Sequence, residues 1–140
     1  MNVISGINVT ASALDAEKTR MDIVAQNIAN AETTHGPDGK PYQRKLVSFE
    51  TVMKTAGATA SDPEAGAVKI AEVKNDPTPG PLVYNPQHPD ADANGMVHMP
   101  NVNLAFEMVD LISSTRAYEA NLAVVKNAKQ MAHQALSIGH

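Results

Sequence analysis

The sequence contains no cysteine and no tryptophan in 140 residues. Thiol catalysis, cysteine-ligated metals and disulfide stapling are therefore excluded, while the compartment stays open, because cysteine-free chains occur in reducing and oxidising surroundings alike. Aromatic residues make up 4% of the chain against 43% hydrophobic residues overall, so any core is built from Ala, Val, Leu, Ile and Met. That filling is thin for a compact globule and ordinary for long helices packed side by side. Basic residues are few and scattered: 11 Lys and Arg against 15 Asp and Glu leave a formal charge of -4. The electrostatic footprint of a nucleic-acid binder is missing, which excludes DNA and RNA as partners. No apolar run approaches the roughly 20 residues that span a bilayer, so direct membrane insertion is not expected. The N-terminus lacks the charged start and continuous apolar run of a secretory signal peptide. Export, if it occurs, proceeds uncleaved and by another route.

What is present is strongly patterned. All nine prolines and six of the eight glycines lie between Gly36 and Pro100, which leaves a proline-free segment on either side of a turn-rich middle. In the first segment Ile4, Ile7, Ala11, Leu14, Lys18, Met21, Ala25 and Ile28 recur in alternating steps of three and four. In the last, Leu104, Met108, Leu111, Thr115, Tyr118, Leu122, Val125, Lys129, Ala132 and Leu136 do the same. Both are heptad seams. Asn103 is placed to cap the second helix, Glu107 suits the positive end of its dipole, and Gly139 suits its end. The predicted fold class is α+β. A discontinuous, coiled-coil-like helical domain (1–34 and 103–140) encloses a β-rich, Pro/Gly-rich middle segment (35–102).

Antiparallel pairing of the two seams sets Ile28 near Leu104 and Lys18 near Thr115, so that each interior polar residue faces the other. The alternative is that Lys18 lays its stem along the seam and reaches water. The same count leaves about the last ten residues of the second helix overhanging. Two helices with so few large side chains bury too little to offset an ordering cost of about 1–2 kcal/mol per residue. Both ends are therefore expected to be largely disordered in the free chain and to fold when neighbouring subunits pack around them. In the middle, Gly36-Pro37-Asp38-Gly39 is a turn signature. Strands are expected over about Tyr42–Met53, with Val47, Phe49 and Met53 on one face, and over Val68–Val73, with a mobile loop near 56–66 between them. Leu82-Val83-Tyr84, hemmed by prolines, suits an edge strand or an extended arm.

Chemistry finds little foothold. Asp90, Asp92, Asn94 and Gly95 match the opening of a calcium loop, but Asn101 stands where a bidentate Glu belongs, and Pro86 and Pro89 exclude the incoming helix. A turn explains these residues better. His35, His88, His98, His133 and His140 share no metal-ligand spacing, and Ser113 and Ser114 lack a nucleophile-elbow context. No Gly-rich loop follows a strand and opens a helix. Met21, Met108 and Met131 lie on or beside the seams, where filling a core is the commoner role. Asn30 suits a left-handed helix cap. Gln26, Asn27 and Asn30 form an amide-rich helix end with the capacity to hydrogen-bond adjacent subunits.

The segment Asn27-Ile28-Ala29-Asn30-Ala31-Glu32-Thr33 closes a heptad helix that is matched by another at the far end of the chain. It resembles the shared N-terminal motif of the bacterial flagellar axial proteins, the rod, hook and hook-associated family. Gly36 to Tyr42, Leu82 to Tyr84, Asp90 to Gly95, Met99 to Asn103 and Arg116 to Asn121 are similar to stretches of a short rod member, the distal rod and hook members carrying much larger insertions. The resemblance implies a non-enzymatic structural subunit of the proximal rod, without cofactor, metal or small-molecule substrate. It would be exported unfolded through the flagellar type III export apparatus and assembled in the periplasm into the drive-shaft of the basal body. Its implied partners are further copies of itself, other proximal and distal rod proteins and a rod-to-ring adaptor. The motif residues Asn27, Ile28, Ala29, Asn30 and Thr33 and the two seams are the implied packing sites. The competing reading is a soluble, chaperone-like adaptor whose second helix seizes a partner's amphipathic segment.

Overall fold

A computed structural model describes residues 3–52 and 67–138. The expected loop near 56–66, Met53 and the expected stop at Gly139 lie outside the described residues. Two helices carry the ends: α1, Val3–Ala29, and α2, Leu104–Ile138. Between them lie β1 (Lys45–Thr51), β2 (Val68–Asn75), β3 (Leu82–Tyr84) and β4 (Met96–His98). β1 pairs with β2 and β3 with β4, as two separate two-stranded sheets. The α+β class read from the heptads and the clustered prolines is the class observed.

Each element has a local cause. α1 is free of proline and ends where Asn30 turns its own amide back, Nδ2 donating to the Gln26 carbonyl at 2.8 Å. Among the described residues only Gly39 and Gly95 have positive φ, so the left-handed cap expected at Asn30 does not form. The side-chain amide ends the helix in its place. α2 starts as expected, with Asn103 Oδ1 accepting the N–H groups of Ala105 and Phe106 at 3.0 and 3.3 Å.

β1 begins three residues later than the hydrophobic pattern suggests, because Tyr42 is drawn into a turn. Gly39 N–H donates to the Gly36 carbonyl at 3.0 Å and Tyr42 N–H to that of Thr33, also at 3.0 Å. β4 has no counterpart in the sequence reading, since three residues between Gly95 and Met99-Pro100 show no period. Yet its central Val97 is 1% exposed and pairs antiparallel with Val83.

The chain divides into two compact units. The first holds α1 up to Met21, β1 from Ser48, β2 to Glu72 and α2 from Ser113. Small residues fill it: Ala16, Ala67 and Ser114 are buried. Ser12 Oγ accepts the Val68 N–H at 3.1 Å, and the Arg20 guanidinium lies 5.9 Å from the Phe49 ring centre. The Thr115 hydroxyl donates to Met21 Sδ at 3.6 Å, while Lys18 is exposed. The expected Lys18–Thr115 pairing is thus displaced by three residues, and Lys18 reaches water because a thioether serves the half-buried hydroxyl with no charge to desolvate.

The second unit comprises Asp22–Val47 and Val73–Ile112. Among the described residues its buried side chains are Val24, Asn27, Val97, Pro100 and Glu107. Two of these five are polar, and they organise the unit.

Candidate functional site

Asn27 is 1% exposed, and each hydrogen-bonding capacity of its amide is used. Nδ2 donates to the Lys45 carbonyl at 2.9 Å and to Glu107 Oε2 at 3.0 Å. Oδ1 accepts the Lys45 N–H and the Tyr42 hydroxyl, both at 2.9 Å. Toward Lys45 the side chain behaves as a neighbouring strand would, giving to its carbonyl and taking from its N–H. One residue of α1 thereby fixes the entry of β1.

Glu107, in the first turn of α2, is equally buried. Its other oxygen takes a charge-assisted hydrogen bond from Arg44 Nε. Burying a carboxylate costs several kcal/mol unless it is paired, and this one is paired with a guanidinium and an amide. The Arg44 backbone is fixed in turn: its N–H donates to Asn101 Oδ1 at 2.7 Å, its carbonyl accepts from Asp76 N–H at 2.7 Å, and Asn101 Nδ2 donates to the Asp76 carbonyl at 3.2 Å. Burial, and then the charge of Glu107, push the Tyr42 phenol above its ordinary value, so Tyr42 stays a hydrogen-bond donor.

The site is a polar joint in which the end of α1, the start of β1 and the start of α2 meet through Asn27, Tyr42, Arg44, Lys45 and Glu107. Sequence reasoning placed Glu107 by its helix dipole alone, and it overlooked Tyr42, Arg44, Lys45 and Asn101. The expectation that the amide-rich helix end serves adjacent subunits is corrected for Asn27, whose hydrogen bonds are all made within the chain. Gln26 and Asn30 also bond internally: Gln26 Oε1 accepts from Lys45 Nζ at 3.1 Å, and Thr33 Oγ1 donates to Asn30 Oδ1 at 3.2 Å. The available signal was a carboxylate on the same helical face as Leu111 and Ser114, where a solvated acid has no reason to be.

The seam residues fall in two groups. Ile7, Leu14, Met21 and Ile28 of α1 and Leu111, Thr115, Tyr118, Leu122 and Val125 of α2 are half-buried. Ala11, Lys18, Ala25 and Ala29 of α1 and Leu104, Met108, Lys129, Ala132 and Leu136 of α2 are exposed, and Ile4 lies in the first turns of α1. The deepest burial in α1 follows Ala16, Val24 and Asn27 instead. Every residue from 129 to 137 is exposed.

Other chemical candidates are local structure. Asp92 Oδ1 accepts the N–H groups of Asn94 and Met96 at 2.8 and 2.9 Å, closing the turn in which Gly95 takes φ 75°. Those amides hold the Asp92 carboxyl below its usual range. Asp90 accepts the Thr34 hydroxyl at 2.7 Å and lies 3.4 Å from His35 Nδ1.

Comparison with known proteins agrees with this anatomy. Residues 7–37 match the flagella basal body rod protein family, and residues 93–138 match the C-terminal family of the flagellar basal body rod FlgEFG proteins. The two matches cover α1 from Ile7 onward, the whole of α2 and the residues beside them. Over 99% of its length, and 99% of theirs, the chain is 40% identical to the flagellar basal-body rod protein FlgC of Salmonella typhimurium and of Bacillus subtilis, and 39% identical to that of Yersinia enterocolitica. The chain belongs to the FlgC family of flagellar basal-body rod proteins. FlgC family membership makes it a structural rod protein of the flagellar basal body. The joint lies across both family matches and the segment between them: Asn27 in the first, Glu107 in the second, and Tyr42, Arg44 and Lys45 in between.

Proposed function

We propose that the chain is a non-catalytic subunit of the proximal rod, polymerising helically in the periplasm and carrying torque from the membrane ring toward the distal rod and hook. It enters the periplasm through the type III export apparatus, and its partners are its own copies, other rod proteins and a rod-to-ring adaptor. One observation supports this reading above others. Among the described residues, fourteen large hydrophobic side chains are exposed, whereas Val24 and Val97 are the only ones larger than Ala that are buried. Isolated apolar residues on a surface are ordinary, but fourteen exposed against two buried, with a core of alanine and valine, is the profile of a chain completed by neighbours. The exposed apolar residues of α2, Leu104, Phe106, Met108, Val109, Ile112, Val124, Met131 and Leu136, suit bundling with further helices through knobs-into-holes contacts. The polar joint suits a torque-bearing part, since a fully satisfied network holds the helix ends to the middle segment in one arrangement.

The test uses Leu122→Asp, a carboxylate on the half-buried seam of α2. An unpaired carboxylate there opposes packing. Cells carrying this variant as their sole copy are expected not to spread in soft agar, and their isolated basal bodies to lack a rod. Normal basal bodies and normal swimming would refute packing through this seam.

A further inference from the structure

We infer that Asn94 is a deamidation site held shut by the turn around it: its side chain is converted to Asp or isoAsp while the chain is unfolded, and is protected once β3 and β4 have paired.

Asn94 is the one asparagine of the chain followed by glycine, and its side chain is exposed. That pairing suits attack of a backbone nitrogen on the preceding side chain, because glycine puts no Cβ beside the nitrogen and lets the main chain turn freely. The reaction needs only water. Hydroxide takes the Gly95 amide proton, the nitrogen bonds to Asn94 Cγ, and the side-chain nitrogen leaves as ammonia. Water then opens the cyclic imide, giving Asp if the new C–N bond breaks and isoAsp if the original peptide bond breaks.

In the folded chain the groups that must move are held. Gly95 N–H, the source of the nucleophile, donates to the Asp92 carbonyl at 2.9 Å. The N–H groups on either side of it, those of Asn94 and Met96, both donate to Asp92 Oδ1, at 2.8 and 2.9 Å. One carboxylate oxygen thus straddles the Asn94–Gly95 link and fixes the dihedral angles around it, with Gly95 at φ 75°. The carbonyls are used as well: that of Gly95 accepts from Asn85 N–H and that of Met96 from Asp92 N–H, both at 2.9 Å. Gly95 is buried. A Cβ placed on it would lie 3.0 Å from Tyr84 Cε2 and 3.1 Å from Pro86 Cβ, so these two side chains close over the residue.

Ring closure must first break hydrogen bonds of this set, and two or more such bonds slow the reaction by about tenfold or more. The product matters to the fold. IsoAsp carries the main chain through its side-chain carbon, so the link is longer and the two bonds to Asp92 Oδ1 no longer span it. β4 then meets β3 out of register, where Tyr84 pairs with Met96 in the unmodified chain.

The test follows the purified full chain in warm, mildly alkaline buffer, folded and, in parallel, unfolded in guanidinium chloride. Conversion is read by mass spectrometry of the peptide carrying Asn94, with isoAsp counted by isoaspartyl methyltransferase labelling. In the unfolded chain Asn94 is expected to be the first asparagine converted, and in the folded chain its conversion is expected to be about tenfold slower or more. Asp92→Ala, which removes both bonds to the carboxylate, is expected to raise the folded rate about fivefold or more. Asp92→Asn, which keeps an oxygen at that position, is expected to leave it slow. Should Asp92→Ala fail to fold by circular dichroism, Tyr84→Ala, which uncovers Gly95, takes its place with the same rise expected. Equal rates in the folded and unfolded chain overturn the inference. So does earlier conversion of another asparagine in guanidinium, or a folded Asp92→Ala chain as slow as the wild type.

Discussion

Asn27 and Glu107 are 80 positions apart in the chain, yet their side chains, each 1% exposed, share a hydrogen bond of 3.0 Å. The amide also serves Lys45 and Tyr42. Asn27→Ala strips partners from a buried carboxylate, a peptide unit and a phenol together. Each buried group left unmatched costs about 1–3 kcal/mol, so the urea midpoint of the middle segment, followed by Tyr fluorescence, is expected to fall sharply. Asn27→Asp is expected to be worse, because it keeps the acceptors, loses the donors and adds a charge beside Glu107.

The Arg44–Glu107 pair is expected to show coupling. Breaking a buried pair from one side costs about 3–5 kcal/mol, and the 30% exposure of the Arg44 side chain places this one at the low end. The double variant Arg44→Met/Glu107→Leu is expected to be more stable than Arg44→Met alone, since no unpaired carboxylate remains. A double-mutant cycle in urea measures the coupling, and additivity of the two single changes would refute it.

Titration acts on the two units of charge chemistry in opposite directions. Tyr42 has a folded value raised by burial and by Glu107. Its contribution to stability is fully present below the ordinary phenol value of about 10 and is lost as pH rises through the higher folded value. Asp92 has a folded value lowered by the N–H groups of Met96 and Asn94. Its contribution is present above the ordinary carboxylate value of about 3.9 and is lost as pH falls through the lower folded value. Tyr42→Phe is expected to flatten the alkaline limb of the stability profile alone, and Asp92→Asn the acid limb alone.

Glycines divide by their surroundings. A Cβ at Gly80 would collide with the Met99 carbonyl oxygen, so Gly80→Ala must displace backbone and is expected to cost about 1–3 kcal/mol or more. Gly6 lies in α1 with nothing within 4 Å of its would-be Cβ. There Gly6→Ala is expected to stabilise the free chain by up to about 1 kcal/mol. Thermal melts of the two variants should move in opposite directions.

Hydrogen exchange is expected to be fast at residues 129–137 in the free chain and slow in isolated basal bodies. Slow exchange there in dilute solution would count against completion by neighbours and favour a self-sufficient adaptor.

Long-range features of the sequence were the most legible. Heptads without proline announced both helices, Asn103 announced the start of α2, and Gly36 to Gly39 announced their turn. What escaped were features decided by tertiary partners. β4 is held by its pairing with β3 and the burial of Val97, neither visible in a three-residue stretch. The register of α1 against α2 follows from where Ala16, Val24 and Asn27 bury, whereas a heptad count weighs apolar positions alone and overlooks an amide that packs as core. Glu107 was placed by the helix dipole alone because its partners, Asn27 and Arg44, are remote in sequence. An acid in line with Leu111 and Ser114 was the one available hint.

The polar joint also governs the order in which this half of the molecule can become structured. Asn27, Arg44 and Glu107 arrive from three remote stretches, and any two without the third leave a dehydrated donor or charge unmatched. A conformer that desolvates part of the set is therefore disfavoured, and this half of the molecule is expected to gain structure in one step rather than by gradual zipping.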